Sequence, residues 1–263
     1  MEAAPIHPDP RSLAQPRLSV VVAVFNEAEN VQSVLDELTT ALDRLQPFEV
    51  LFVDDGSTDA TAERIAAMAQ DHPGLRLLRH DRRCGKTAAL RTGVAAARAD
   101  WIATMDGDGQ NDPADIPEML ALGLAAPIAG STGAGPMGTA PLVAGIRVRR
   151  HDTLSRRIAT RFANGLRQAV LADHCPDTGC GLKAFRRDDF LRLPAFEGMH
   201  RFLPALFQAY GHPLLCKTVS HRARMRGQSK YTNLGRALVG IGDMLGVIWL
   251  RRRTTVPHKV TES

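Results

Sequence analysis

Aromatic side chains are scarce in this 263-residue chain, where Phe, Trp and Tyr together make up 5%. That scarcity argues against a surface on which nucleic-acid bases or sugar rings stack. The four cysteines form no CxxC pair and have no histidine beside them at ligand spacing, so a zinc module is not expected and reduced cytosolic thiols are favoured. A run of about 18 apolar residues is also absent, so the sequence predicts no transmembrane helix.

Acidic residues are few in the second half of the chain, although the net charge of the whole is only +5. From Arg147 to Arg167 there are seven arginines and one acid, and from Lys217 to Ser263 there are ten Lys or Arg and two acids. Such a basic half favours a phosphate-rich partner, which could be a nucleotide, phospholipid headgroups or nucleic acid. Because aromatics are scarce, we do not expect nucleic acid.

Apolar runs alternate with helical patterns along the first 110 residues. LSVVVAVF (18–25) is typical of a strand buried on both faces, and Asn26 with Glu29 three residues later is a helix-start signature. Further strands are predicted at 49–53, in LRLLRH and in WIATMD. The alternation predicts an α/β fold with a doubly wound, mostly parallel sheet.

Polar turns follow three of these predicted strands. The residues are Asn26 and Glu27, then Asp54 and Asp55, and finally Asp106 and Asp108. Ligands of doubly wound sheets bind outside the carboxyl ends of the strands, so the three turns are expected to meet at one ligand-binding edge. There Asp55 could accept hydrogen bonds from a nucleobase or a ribose hydroxyl.

The acidic turn ATMDGDGQNDP (103–113) has three competing interpretations: a calcium loop, a metal-assisted phosphate site or a solvated polar turn. A calcium loop starting at Asp106 needs Gly at its sixth position and Glu at its twelfth, where this chain has Asn111 and Pro117. A polar turn does not explain two carboxylates, Asp106 and Asp108, at the end of a buried strand. Mg²⁺ or Mn²⁺ would relieve their repulsion and share its remaining positions with substrate phosphates.

The stretch RCGKTAAL (83–90) resembles the tail of a nucleotide-binding P-loop. The first glycine of that motif would be at position 80, which is His80, so the motif fails. Lys86 is therefore expected to begin a helix near the anionic edge of the sheet, with a solvated lysine as the alternative.

The chain divides into three predicted regions. Residues 1–17 are expected to form a disordered leader, residues 18–218 a catalytic domain with a flexible Gly/Ala/Pro insertion at about 125–140, and residues 219–263 a basic loop followed by an amphipathic helix. That final helix is apolar and ends in three arginines, which suits a membrane interface. A helix packed on the domain and a dimer contact are the alternatives.

Taken together, VVVAVFNEAEN, VDDGSTDAT, GKTAAL and MDGDGQNDP resemble glycosyltransferase family 2 in order and spacing. The later RARMRGQSKY (222–231) narrows the resemblance to the branch of dolichol-phosphate mannose synthase and bacterial polyprenyl-phosphate glycosyltransferases. The resemblance implies a GT-A fold and a nucleotide-sugar donor. Departures from the family pattern are Ala23 in place of Pro and Phe25 in place of Tyr, so one hydroxyl contact is absent.

The resemblance also implies roles for individual residues. Asp106 and Asp108 would be DxD ligands of Mg²⁺ or Mn²⁺, with Gln110 beside them. The implied donor-binding positions are Ala23, Phe25, Glu27, Val53, Asp55, Gly107, Gln110, Arg147, Arg224 and Lys230. Arg161 would help to hold an acceptor phosphate. Asp177 in PDTGCG lies where a catalytic base or an acceptor-positioning group could be.

We therefore expect an inverting, metal-dependent transfer of a sugar from a nucleotide-diphosphate sugar to a polyprenyl phosphate. The expected partners are that donor, that acceptor and an anionic membrane surface, with a homo-oligomer as a further option. The expected location is cytoplasmic, peripheral at the inner face of the cell membrane. Two alternatives stay open: a family 2 transferase with a saccharide or other hydroxyl acceptor, and a non-catalytic nucleotide-binding protein.

Overall fold

The computed structural model describes residues 15–126, 139–147, 167–168, 170–171, 173–222 and 233–255, with the backbone alone at 233–239 and 241. The strands are β1 Leu18–Val24, β2 Phe48–Asp54, β3 Leu75–Arg79, β4 Trp101–Asp106, β5 Leu142–Arg147, β6 Lys183–Arg186 and β7 Leu214–Val219. The α-helices are α1 Val31–Leu42, α2 Thr61–Asp71, α3 Lys86–Ala96, α4 Ile116–Ala125, α5 Arg187–Leu191, α6 Leu203–Ala209 and α7 Asn233–Arg253. The leader up to residue 14, the insertion at 127–138 and most of the basic stretch 153–171 lie outside the described residues, and the predicted region boundaries stay predictions.

The seven strands form one sheet in the order β3-β2-β1-β4-β6-β5-β7. Neighbours among β3, β2, β1 and β4 are parallel, as are β5 and β7. Strand β6 is inserted between β4 and β5 and runs antiparallel to both. The predicted α/β fold with a mostly parallel sheet is confirmed.

Strand β1 is buried on both faces because helices cover each side of the sheet. Val20, Val22 and Val24 pack in one hydrophobic core with side chains of α1, α2 and α4. Val21 points to the opposite core, where it packs with residues of α3, α5 and α6. This two-sided burial explains why the strand is a continuous apolar run rather than an alternating one.

The carboxyl ends of the central strands lie level with one another. Ala23 of β1 pairs with Val53 of β2 and, on its other side, with Asp106 of β4. The next pair along, Val24 with Asp54, brings the first two polar turns together. Parallel pairing thus gathers the three turns at one edge of the sheet.

Helix α1 begins later than the Asn26 signature predicts. It starts at Val31, and Asn26 instead has a left-handed backbone, with φ of 52°. The backbone N–H of Asn26 donates to Ser57 Oγ at 2.8 Å, and the side-chain oxygen of Asn26 accepts from the backbone N–H of Thr58 at 2.8 Å. The asparagine therefore joins the β1 and β2 turns rather than capping a helix, because its short polar side chain tolerates this conformation.

The final helix α7 packs on the domain along one face. Val247 is buried in the same hydrophobic core as Val21. Asp243 forms an ion pair of 2.8 Å with Arg201. On the outer face, the side chains of Leu245 and Trp249 are 61% and 62% exposed. Among the described residues, no helix is both long enough and apolar enough to cross a bilayer.

Candidate active site

The acidic turn after β4 is compact because it contains two glycines. A Cβ on Gly107 would lie 2.4 Å from a methyl of Val24, and Gly109 has a positive φ of 74° that only glycine adopts without strain. Asp108 accepts from the Gln110 N–H at 3.2 Å, and Asn111 accepts from the Asp106 N–H at 3.2 Å. The backbone of this turn therefore fixes the positions from which the Asp106 and Asp108 side chains project.

The segment after β7, where the predicted basic loop begins, is hydrogen-bonded to this acidic turn. The Arg222 N–H donates to the Gln110 carbonyl at 2.9 Å. The Arg222 guanidinium pairs with Asp112 at 2.6 Å and with Glu37 at 2.7 Å. Residues 223–232, which include Arg224 and Lys230, lie outside the described part of the chain, and so does Arg161.

Lys86 is the first residue of α3, as predicted, and its ammonium contacts Asp106 Oδ1. Each of the two side chains is 32% exposed. Burial opposes ionisation of Asp106, but the charge and hydrogen bond of Lys86, together with the charge of Lys183, outweigh it, so the pKa of Asp106 is lowered. The carboxylate thus already has a cation beside it.

Asp55 positions the segment that carries Lys86. Its buried carboxylate accepts from the backbone N–H groups of Cys84 and Gly85, both at 2.8 Å, and lies 2.9 Å from His80 Nδ1. The interactions tie the β2 turn to the start of α3. Nearby, the Arg83 guanidinium lies 4.4 Å from the centre of the Phe25 ring.

The three remaining predicted nucleotide neighbours are Val53, Ala23 and Glu27. Val53 is fully buried, whereas Ala23 is partly exposed at the end of β1. Glu27 accepts from Asn30 Nδ2 at 2.6 Å, and its N–H donates to Thr61 Oγ1 at 2.9 Å. Glu27 is therefore held at the same edge by the start of both flanking helices.

Arg147 and Asp177, predicted separately, form one ion pair. Arg147 Nε lies 2.6 Å from Asp177 Oδ2, and Nη2 lies 2.7 Å from Oδ1, so the pairing is bidentate. The side chains are 16% and 8% exposed. Burial lowers the pKa of Arg147, but the hydrogen bonds to Asp177 and the negative charge of that carboxylate together outweigh burial and raise the pKa. No local sequence pattern predicts this contact, because the two residues are 30 positions apart.

Gly181 brings the segment after Asp177 against the acidic turn. A Cβ on Gly181 would lie 2.6 Å from the Asp106 carboxylate carbon and from both of its oxygens. The Gly181 carbonyl accepts from Thr104 Oγ1 at 2.8 Å. The close approach therefore requires glycine.

His200 is a residue of this site that the sequence did not indicate. Its Nδ1 lies 2.9 Å from Thr87 Oγ1, which follows Lys86 in α3. Burial, followed by the charges of Lys86 and Lys183, lowers the pKa of His200 to about 3. The imidazole is therefore neutral at physiological pH. Because His200 is 113 residues from Thr87, no local pattern could reveal the contact.

The low pKa of His200 predicts a loss of stability in mild acid. Below its ordinary pKa of 6.5, the unfolded chain takes up a proton that the folded chain excludes down to about pH 3. The contribution of neutral His200 is thus complete above pH 6.5 and is lost as the pH falls. We expect the free energy of unfolding to drop by about 1–2 kcal/mol between pH 7 and pH 5.

Urea unfolding at the two pH values checks this expectation. His200→Gln keeps a partner for Thr87 but does not titrate, so its stability should fall distinctly less than that of the unaltered protein. His72→Gln, at the opposite edge of the sheet, is the matched control. An equal drop in the unaltered protein and in His200→Gln would show that His200 is not responsible.

A parallel sheet that gathers carboxylates and a lysine at its carboxyl edge defines an α/β protein with a ligand site at that edge. Residues 19–193 match the family model described as "Glycosyl transferase family 2". The chain belongs to this family and is therefore a glycosyltransferase.

Two curated relatives agree with the branch predicted from the motifs. The chain is 34% identical over 245 residues to dodecaprenyl-phosphate galacturonate synthase of Rhizobium johnstonii, covering 91% of this chain and 69% of the relative. It is 32% identical to undecaprenyl-phosphate 4-deoxy-4-formamido-L-arabinose transferase of Aeromonas hydrophila, covering 81% of this chain and 62% of the relative. The chain thus spans about two thirds of each relative, and the predicted polyprenyl-phosphate branch is confirmed.

Solved structures of the same fold are also glycosyltransferases. A mannosyltransferase from Pyrobaculum calidifontis in complex with GDP-Man and Mn²⁺ superposes with a TM-score of 0.63 at 23% identity, covering 97% of this chain and 69% of that one. Glucosyl-3-phosphoglycerate synthase from Mycobacterium tuberculosis in complex with UDP superposes with a TM-score of 0.62 at 20% identity, covering 92% of this chain and 81% of that one. The GT-A fold is confirmed.

Proposed function

We propose that this glycosyltransferase moves a sugar from a nucleotide-diphosphate sugar to a polyprenyl phosphate, with inversion at the anomeric carbon. One observation carries the proposal: Asp106 ends β4 and Asp108 follows it at the carboxyl edge of the sheet, where Lys86 adds a cation. A donor diphosphate is rich in charge, so a site for it needs fixed cations and a place for a metal ion. The names of both curated relatives contain a polyprenyl phosphate, which supports the choice of acceptor.

The residues at this edge fit Mg²⁺ or Mn²⁺. Asp106 and Asp108, with Gln110 beside them, offer the hard oxygen ligands that these ions prefer. The Lys86 ammonium already pairs with Asp106, and this contact supports the view that the carboxylate can hold a cation. When bound, the ion would neutralise charge on the leaving diphosphate.

We assign the nucleoside to the turns after β1 and β2. Ala23, Phe25 and Glu27 would line one side of it and Asp55 the base, while Val53, which is fully buried, would support this wall from beneath. Asp55 already accepts two backbone N–H groups, so its role includes holding the segment before α3 in place. Gly107 would allow the donor to approach the turn, and Arg224 and Lys230 would reach the diphosphate from the basic loop.

In the proposed reaction an oxygen of the acceptor phosphate attacks the anomeric carbon. The bond from that carbon to the nucleoside diphosphate breaks, and the diphosphate leaves with the electron pair. A phosphate monoester has a second pKa of about 6 and is largely ionised at neutral pH, so no catalytic base is required. Arg161 would help to hold the acceptor phosphate.

The ion pair with Arg147 favours a positioning role for Asp177. Both carboxylate oxygens already accept hydrogen bonds from the guanidinium, so the carboxylate is engaged in holding Arg147. Asp177 would therefore orient Arg147 at the wall of the site. A saccharide acceptor would need a base instead, because a hydroxyl group must lose its proton during attack.

The outer face of α7 suits a lipid acceptor. Leu245 and Trp249 are exposed one turn apart, and the exposed Arg252 and Arg253 follow. Apolar side chains beside arginines match the boundary between acyl chains and anionic headgroups. We therefore propose a peripheral location at the cytoplasmic face of the membrane. The alternative to membrane binding is that this exposed face of α7 forms a contact between two copies of the chain.

Transfer assays on vesicles test the proposal. The unaltered protein, supplied with Mn²⁺ and a panel of UDP- and GDP-sugars, should convert a polyprenyl phosphate in phosphatidylglycerol vesicles to a sugar-1-phospholipid that mild acid cleaves. Leu245→Gln combined with Trp249→Gln should lower the initial rate on vesicles about tenfold or more. The same variant should use a short, water-soluble prenyl phosphate at the rate of the unaltered protein.

Leu124→Gln is the matched control, because that leucine is also 62% exposed but lies in α4. Transfer only to a saccharide hydroxyl, with no lipid product, would favour the hydroxyl-acceptor alternative. Binding of a nucleotide-sugar without any transfer would favour a non-catalytic protein. Equal vesicle rates for the double variant and for Leu124→Gln would remove the membrane assignment of α7.

A further inference from the structure

A cation of the protein itself lies on the proposed metal ligand. Lys86 Nζ contacts Asp106 Oδ1, and both side chains remain about one-third exposed, so the pair is open to exchange. Lys183 lies buried nearby, and its charge also acts on Asp106. An arriving divalent cation would therefore meet a carboxylate, Asp106, that already has a positive charge beside it.

We propose that Lys86 is a displaceable counter-ion of Asp106, which moves to the donor diphosphate when metal and donor bind together. The inference rests on the proposed function, because it takes Asp106 as a metal ligand. Metal alone has to displace the ammonium and leave it without a partner. Metal that arrives with a diphosphate offers the ammonium a new anionic partner at the same moment. Lys86 thereby makes the binding of metal and donor cooperative.

The local structure supports such a movement. The segment before Lys86 is held by Asp55, which accepts the Gly85 N–H at 2.8 Å, so the backbone stays fixed while the four-carbon side chain swings. Lys86 also starts α3, where the helix dipole favours anions and disfavours a lone cation. An ammonium released there is stabilised by an arriving phosphate.

His200 restricts the segment that carries Lys86 through its contact with the next residue, Thr87. Burial and the charges of Lys86 and Lys183 keep the imidazole neutral, so His200 adds no further positive charge near the released ammonium. Thr87, the neighbour of Lys86, is held at the same time by His200 Nδ1 at 2.9 Å and by the Gly198 N–H at 3.1 Å. Among the described side chains, Asp106 is the only carboxylate paired with Lys86.

The test is a titration of Mn²⁺, followed by electron paramagnetic resonance, on the full chain with and without UDP or GDP. In the unaltered protein, the nucleotide that binds should tighten Mn²⁺ about 5-fold to 150-fold, the usual range of coupling between two sites. In Lys86→Met, Mn²⁺ alone should bind at least about fivefold more tightly, and the tightening by nucleotide should shrink by a similar factor. Reciprocity requires the nucleotide to show the same loss of coupling.

Lys217→Met is the matched control, since Lys217 also pairs with one carboxylate, Glu118 at 2.7 Å, away from this site. Thermal melting of each variant verifies folding. If Lys86→Met binds Mn²⁺ alone no more tightly than the unaltered protein and keeps the full coupling, the counter-ion inference is overturned. If Asp106→Asn leaves Mn²⁺ binding unchanged, the metal site itself is wrong, and the proposed function fails together with the inference.

Discussion

Replacing Asp108 with alanine is expected to lower the transfer rate about a thousandfold or more while leaving the fold intact. The carboxylate is one of two proposed metal ligands, and its loss removes charge stabilisation worth several kcal/mol at the transition state. Each 1.36 kcal/mol corresponds to a factor of ten in rate. Asp108 is partly exposed and lies in a turn, so its removal should change the unfolding free energy little.

A sugar-transfer assay at saturating Mn²⁺ measures this effect. Asp100→Ala is the matched control, because Asp100 directly precedes β4 while Asp108 follows it, and its side chain is 73% exposed at the opposite end of the strand. The control should keep the rate of the unaltered protein. An Asp108→Ala variant that retains activity within a factor of ten would show that this carboxylate does not hold the metal.

Adding a single methyl group at Gly181 should also lower the transfer rate strongly. The Cβ of alanine would lie 2.6 Å from the Asp106 carboxylate, so the carboxylate must move by about 1 Å to restore an ordinary contact. A displacement of that size at a catalytic group costs about a hundredfold in rate. The Gly181 backbone is outside the left-handed region and the displaced atoms end a side chain, so the melting temperature should change little.

The assay for Gly181→Ala measures both transfer and Mn²⁺ affinity, and both should fall. Gly242→Ala, in α7 where a Cβ would meet no atom within 4 Å, controls for the chemical change. A Gly181→Ala protein with normal transfer would mean that the position of Asp106 is not critical. A variant that loses activity by unfolding would be recognised from its melting curve.

Much of the fold was predictable because its determinants are local. The apolar run of β1 and the helix start at Lys86 depend on neighbouring residues, and both are observed. The convergence of Asp55 and Asp106 followed from a general property of parallel sheets. The insertion of the antiparallel β6 between β4 and β5 did not, because strand order is decided by packing between distant segments.

The residues of the site were easier to predict from the sequence than the contacts between them. The pairing of Arg147 with Asp177 and the contact of His200 with Thr87 connect residues 30 and 113 positions apart. No periodic pattern or motif encodes such distances. The Asn26 signature misplaced the start of α1 because its side chain bonds to the neighbouring turn, at Thr58, instead of to the helix backbone.

The central claim is that Asp106 and Asp108 hold a divalent cation against the donor diphosphate. Its most direct test is a crystal soaked with Mn²⁺ and either UDP or GDP, with the metal located by anomalous scattering. We predict one manganese within about 2.2 Å of an oxygen from each aspartate and of oxygens from the diphosphate. Manganese bound elsewhere, with both carboxylates turned away from the nucleotide, would contradict the account.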